Sequence, residues 1–204
     1  DSGAAALAAA LRTAPRRGAD GNDGPILEVL DLSSCDVGDA GAEALAMAVR
    51  DNPGCLARLN LGNNRVTDEG AAALGRALAA ASEKGGGAGA GCMEELDLSG
   101  NVDVGDGGAR SISQAMKAGS LTSAALRSCG VRADGAAAFG EAIAALAAAA
   151  SKGESSLAEV RVDLSGNDLG TARPKKKAKP YSPSLLKSKA TATAGSYVNF
   201  IGRK

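Results

Sequence analysis

Histidine and tryptophan are absent from this 204-residue chain, and Tyr181, Tyr197, Phe139 and Phe200 are its whole aromatic complement. Without histidine there is no Ser-His or Cys-His nucleophilic pair, no histidine general base and no imidazole ligand for zinc. The shortage of aromatics removes the large rigid side chains that usually anchor a tight interface. It leaves a core to be built from alanine and leucine. No stretch near 18 residues is apolar with large side chains, and 144–150 is an alanine-rich helix end, so no transmembrane segment is expected. The four cysteines, Cys35, Cys55, Cys92 and Cys129, match no zinc spacing and read as unpaired structural thiols, which points to a reducing, intracellular compartment. Glu94, Glu95 and Asp97 are close enough in sequence to suggest paired carboxylates, but solvated strand charges account for them. No cofactor, metal or catalytic constellation is expected, and the chain reads as a non-enzyme.

What is present recurs. Leu27, Leu30, Leu32, Cys35 and Val37 set a frame that Leu56, Leu59, Leu61, Asn64 and Val66 repeat without a gap. Met93, Leu96, Leu98 and Asn101 repeat it with one residue inserted before Val104, and Leu121, Ala124, Leu126, Cys129 and Val131 give a fourth copy. Residues two apart share one side of a strand, so Leu30 and Leu32 both point inward. Asn at the bend can satisfy backbone groups that an apolar side chain would leave unpaired. Downstream, Asp39, Gly41, Ala42, Leu45 and Val49 are echoed by Asp68, Gly70, Ala71, Leu74 and Leu78, and again by Gly135, Ala136, Phe139 and Ile143. Spacings of three and four place the apolar members on one helical face, with Asp near the positive N-terminal end.

Each unit therefore reads as strand, turn, helix. The pattern resembles the ribonuclease-inhibitor-like class of leucine-rich repeats over residues 1–170, including the alternation of Asn and Cys at the bend. The resemblance implies an α/β solenoid with a parallel sheet on its concave face, and a buried structural role for Cys35 and Cys129. Asp1, Gly3, Ala4, Leu7 and Leu11 fit the helical half of a unit with no strand before them, as expected of a fragment, a processed precursor or an ordered portion of something longer. Successive frames start 29, 37, 28 and 36 residues apart, at Leu27, Leu56, Met93, Leu121 and Leu157. The extra residues fall after helices. Gly85–Gly91 lies in one such stretch and reads as a loop, since a phosphate-binding loop would follow a strand and carry a Lys-Ser/Thr pair.

A fifth unit begins at Val162, Leu164, Asn167 and Leu169, and no helix pattern follows. Residues 171–204 hold nine of the 23 basic residues and none of the 23 acidic ones, leaving 14 against 23 before them. A solenoid of net −9 at 1–170 is thus joined to an extended tail of +9 at 171–204. Such asymmetry marks an interaction tail. Arg173, Lys175, Lys176, Lys177 and Lys179 form its basic cluster, with Tyr181, Tyr197 and Phe200 as apolar anchors. On the concave face the outward residues Asp31, Arg58, Asn60, Glu95, Asp97, Arg127, Arg161 and Asp163 are candidates for partner contact. The reading is a non-catalytic protein–protein interaction scaffold, an accessory or structural subunit of a large assembly held by its tail. Cytoplasm or an organelle would suit it, and the Ala/Gly richness of a GC-rich genome brings in a plastid. Two other readings stand. Ran GTPase-activating proteins resemble this repeat type, though they are typically followed by an acidic region. The tail also suits an anionic surface or RNA, without a recognised RNA-binding fold.

Overall fold

A computed structural model describes residues 1–14, 27–84, 93–151, 160–170 and 197–199. Helices α1 (Ser2–Thr13), α2 (Asp39–Asp51), α3 (Asp68–Lys84), α4 (Asp106–Lys117) and α5 (Ala133–Ser151) alternate with short strands. The strands are β1 (Val29–Asp31), β2 (Arg58–Asn60), β3 (Met93–Asp97), β4 (Leu121–Ala125) and β5 (Arg161–Asp163), followed by β6 (Tyr197–Asn199). All pair parallel in chain order, β1-β2-β3-β4-β5-β6, and each described helix packs on the next. This is an α/β strand-helix solenoid, and its inward leucines behave as the frame requires: Leu59, Leu61, Leu96, Leu98 and Leu126 are almost wholly buried. Leu27 is not. It is 42% exposed, because β1 is the edge strand of the sheet among the described residues.

The strand register corrects one spacing. Val29 pairs with Arg58, Arg58 with Glu95, Glu95 with Ser123 and Ser123 with Arg161, which gives offsets of 29, 37, 28 and 38. The last offset is two longer than a frame anchored on Leu157 suggests. Asn167 and Val162 hold the true register, because the bend and the inward strand position are what the neighbouring rung contacts.

The bends explain why Asn and Cys alternate. The residue before each bend residue adopts positive φ in all five rungs: Ser34, Asn63, Gly100, Ser128 and Gly166. The bend side chain then faces the previous rung. Asn64, Asn101 and Asn167 accept the N–H of Val37, Val66 and Val131 at 2.9, 3.0 and 3.1 Å, and donate to carbonyls of both rungs. At Cys129 that acceptor is not needed. The residue inserted before Val104 lets the Val104 N–H reach the Asn101 carbonyl at 3.1 Å, and the thiol has only to donate, to Leu98 C=O at 3.3 Å. At Cys35, on the edge rung, no strand precedes β1 among the described residues. Its thiol is exposed and bonds its own strand at Ser33 C=O, so the buried role expected of it holds only for the half-buried Cys129. Burial pushes the Cys129 thiol up to about 11.

On the helical side the repeated aspartate caps the following helix. Asp1 accepts the N–H groups of Gly38 and Gly41, Asp39 those of Thr67 and Gly70, Asp68 those of Gly105 and Gly108, and Asp106 those of Arg132 and Gly135. Each carboxylate thus meets two of the orphan amides that a helix start leaves open, and at its positive pole. The glycine in each set must be small. A Cβ at Gly108 would sit 2.7 Å from the Ala71 Cβ and 3.1 Å from the Val104 Cγ1.

Among the described residues one helix, α5, is long and apolar enough by length and composition to span a bilayer. Its apolarity is largely alanine, and it buries Gly135, Phe139 and Ala142 while packing on α4, so it belongs to the helical layer.

Candidate interaction surface

The strand register gathers the concave candidates into three files. Val29, Arg58, Glu95, Ser123 and Arg161 form the first, and Asp31, Asn60, Asp97, Ala125 and Asp163 the second. Two residues further along lie Ser33, Gly62, Ser99, Arg127 and Ser165. Arg58, Glu95, Arg127, Arg161 and Asp31 are exposed, whereas Asn60, Asp97 and Asp163 are half-buried.

The second file is half structural. Asp31, Asn60, Asp97 and Asp163 each accept the N–H two residues on, at Ser33, Gly62, Ser99 and Ser165, at 2.8–2.9 Å. These side-chain turns close each strand into its bend. Hydrogen bonds from the Ser33 side chain and amide hold the Asp31 carboxyl below its ordinary range. Ala125 breaks the file, and there the Arg127 N–H turns to Ser99 Oγ at 3.2 Å instead. The gap leaves room for the Arg127 guanidinium, which stands between Asp97 at 3.7 Å and Asp163 at 3.8 Å. At these exposures each pair is worth little, about 0–1 kcal/mol, but together they fix the side chain's direction.

The first file is where the surface is unfilled. Small Thr122 and Ser123 on β4 sit between Glu94 and Glu95 on one side and Arg161 on the other, and with Arg58 they line a shallow hollow of about 370 Å³. Arg58 lies 3.9 Å from Glu94, and Thr122 Oγ1 donates to Glu94 C=O at 2.6 Å. Glu94 and Thr122 were missed by a strict alternation rule; their contribution comes from the strand position before the outward one. The hollow offers cationic walls on β2 and β5 and an anionic one on β3. Among the described residues no cluster of Cys, Asp and Glu is arranged to hold a metal.

Of the tail candidates, Arg173, Lys175, Lys176, Lys177, Lys179, Tyr181 and Phe200 lie outside the described residues, as do Cys92 and Gly85–Gly91. Tyr197 begins β6, its backbone paired with Arg161.

A model of the leucine-rich repeat matches residues 25–46, 55–75 and 92–113, three successive strand-to-helix units in the register described above. The chain is a leucine-rich repeat protein. A comparison with curated proteins finds no match. The leucine-rich repeat is a protein-interaction fold, and this chain carries such an interaction module. The rungs at β4 and β5 extend the repeat beyond the matched residues, where Ala124 and the longer connection weaken the sequence frame.

Proposed function

We propose that this leucine-rich repeat protein is a non-catalytic scaffold, an accessory or structural subunit of a larger assembly, of the ribonuclease-inhibitor-like class. The observation that supports this most is the concave face. Its polar side chains are held in place by their own backbone and by neighbouring rungs, which lowers the ordering cost of a partner's docking. The hollow bounded by Arg58, Glu95 and Arg161 is the part of that face open to a partner, and the basic cluster Arg173–Lys179 supplies long-range attraction to an anionic surface. Free thiols at Cys35 and Cys129 suit a reducing, intracellular compartment, organelles included.

Affinity purification of the full chain from its native source, followed by mass spectrometry, tests the reading. One partner set should be recovered with wild type and lost with Arg58→Glu/Arg161→Glu. Changing Lys175, Lys176, Lys177 and Lys179 to Ala should weaken capture and flatten its salt dependence. Retention of the same partners by both variants would defeat the proposal. Stimulated GTP hydrolysis by a recovered GTPase would make the protein a regulator, and RNA affinity falling steeply with salt would make it RNA-associated.

A further inference from the structure

Among the described residues, the capping ladder and the sheet end at different places. On the helical side, Asp1, Asp39, Asp68 and Asp106 each cap the next helix, and the same position in α5 is Ala133, which has no carboxylate to offer. The capping ladder stops at the last described helix. The sheet continues for one more strand. β6 pairs parallel with β5, with Tyr197 opposite Arg161, Val198 opposite Val162 and Asn199 opposite Asp163. That register aligns Val198 with Leu30, Leu59, Leu96, Ala124 and Val162, and Asn199 with Asp31, Asn60, Asp97 and Asp163 along the sheet. The sequence agrees independently: Val198-Asn199-Phe200 repeats the apolar–Asn–apolar order of Leu59-Asn60-Leu61.

The backbone shows what β5 needs from such a neighbour. Leu32, Leu61, Leu98 and Leu126 each donate their N–H to a carbonyl of the next strand, at Asn60, Asp97, Ala125 and Asp163, all at 2.8 Å. Leu164 holds the same position on β5 and is 1% exposed. An N–H there with no acceptor would be a buried orphan, and an open parallel edge is also a template for pairing with other chains.

We propose that the edge of β5 is a strand-accepting site and that its resident occupant is Tyr197–Asn199 of the same chain, a latch that closes the sheet at its β5 edge. Three residues on a long connection make a weak latch, because the closure entropy of residues 164–196 is set against few ladder bonds. The tail's two parts then divide the work. Tyr197–Asn199 seals the solenoid, and Arg173–Lys179 remains for a partner.

The test uses the full chain and one amide. Tyr197→Pro removes a ladder donor, since Arg58 and Glu95 in the same file donate to the preceding strand at Glu28 and Ala57. Ala192→Pro, outside the strand, is the control. Hydrogen–deuterium exchange is followed at Leu164, with Leu126, inside the sheet, reporting that the fold is intact. The Leu164 amide should be protected in wild type and Ala192→Pro, and should exchange at least tenfold faster in Tyr197→Pro while Leu126 is unchanged. Addition of a peptide of residues 191–204 to Tyr197→Pro should restore the protection. Equal Leu164 exchange in wild type and Tyr197→Pro would overturn the latch. Wild-type protection that disappears on dilution as a dimer dissociates would overturn the assignment to the same chain and give the strand to a second copy.

Discussion

Replacing Asn101 by Cys asks whether the bend residue is chosen by what the previous rung lacks. Asn101 is fully buried; its Oδ1 accepts the Val66 N–H at 3.0 Å, and its Nδ2 donates to Leu61 and Leu98 carbonyls at 2.9 and 2.8 Å. A thiol keeps much of the donor role, as Cys129 does toward Leu98, and the Leu61 carbonyl retains the Asn64 amide at 2.9 Å. A thiol is a poor acceptor, so the loss falls on the Val66 N–H. A buried donor left unsatisfied costs about 1–3 kcal/mol. At about 2–4 °C per kcal/mol for a domain of this size, Tm should fall by about 2–12 °C. Urea denaturation should show a lower midpoint at unchanged slope, and the Val66 amide should lose exchange protection selectively. A wild-type midpoint with Val66 still protected would refute the assignment of Asn101 as that amide's partner.

Four further outcomes follow from the same structure. Asn64→Leu strands the Val37 and Cys35 amides and should cost about 1–3 kcal/mol per stranded group in a urea melt, while Cys35→Ala, which removes only an exposed thiol bonded to Ser33 C=O, should cost well under that. Gly108→Ala should destabilise by about 1–3 kcal/mol through overpacking against Ala71, whereas Gly3→Ala at the equivalent position meets nothing within 4 Å and should stabilise α1 by about 0.5–1 kcal/mol, both read from thermal melts. Because the folded Cys129 thiol titrates near 11 against an ordinary 9.0, the folded state holds its proton longer, so stability should fall as pH rises through that interval and Cys129→Ala should remove the fall. Asp97→Asn should leave stability within about 0.5 kcal/mol, since Asn60 makes the same turn in the same file, while a partner that reads the charge should bind more weakly by titration calorimetry.

The strand half of each unit was legible because its signal is local. Leu59 and Leu61, or Leu96 and Leu98, are two apart, and that spacing alone fixes their face. The helical half was legible as amphipathic, but the partner of its aspartate was not. Asp39 precedes an apolar helical run, and any rule based on one helix assigns it to that helix. Its carboxylate instead crosses to Gly70, a relation carried by a repeat offset of 29 residues and visible only once the rungs are stacked. The two-residue error in the fifth frame has a similar origin. Leu157 fits the apolar pattern as well as a registered residue would, and only the pairing of Ser123 with Arg161 distinguishes them.

For the surface, alternation identified which residues face outward and could not say which of them are already employed. Asp31, Asn60, Asp97 and Asp163 look like a row of ligands in the sequence, yet each has one oxygen committed to the amide two residues on. Their recurrence is therefore explained by folding before any partner is invoked. Among the described residues the Arg58 and Glu95 side chains make no such bond to an amide two residues on, and the file they share with Arg161 changes sign from rung to rung. A residue that varies where the fold makes no demand is where partner specificity can be written. The proposed recognition therefore falls on the first file and the hollow beside Ser123, with the aspartate file as the frame that holds the surface in register.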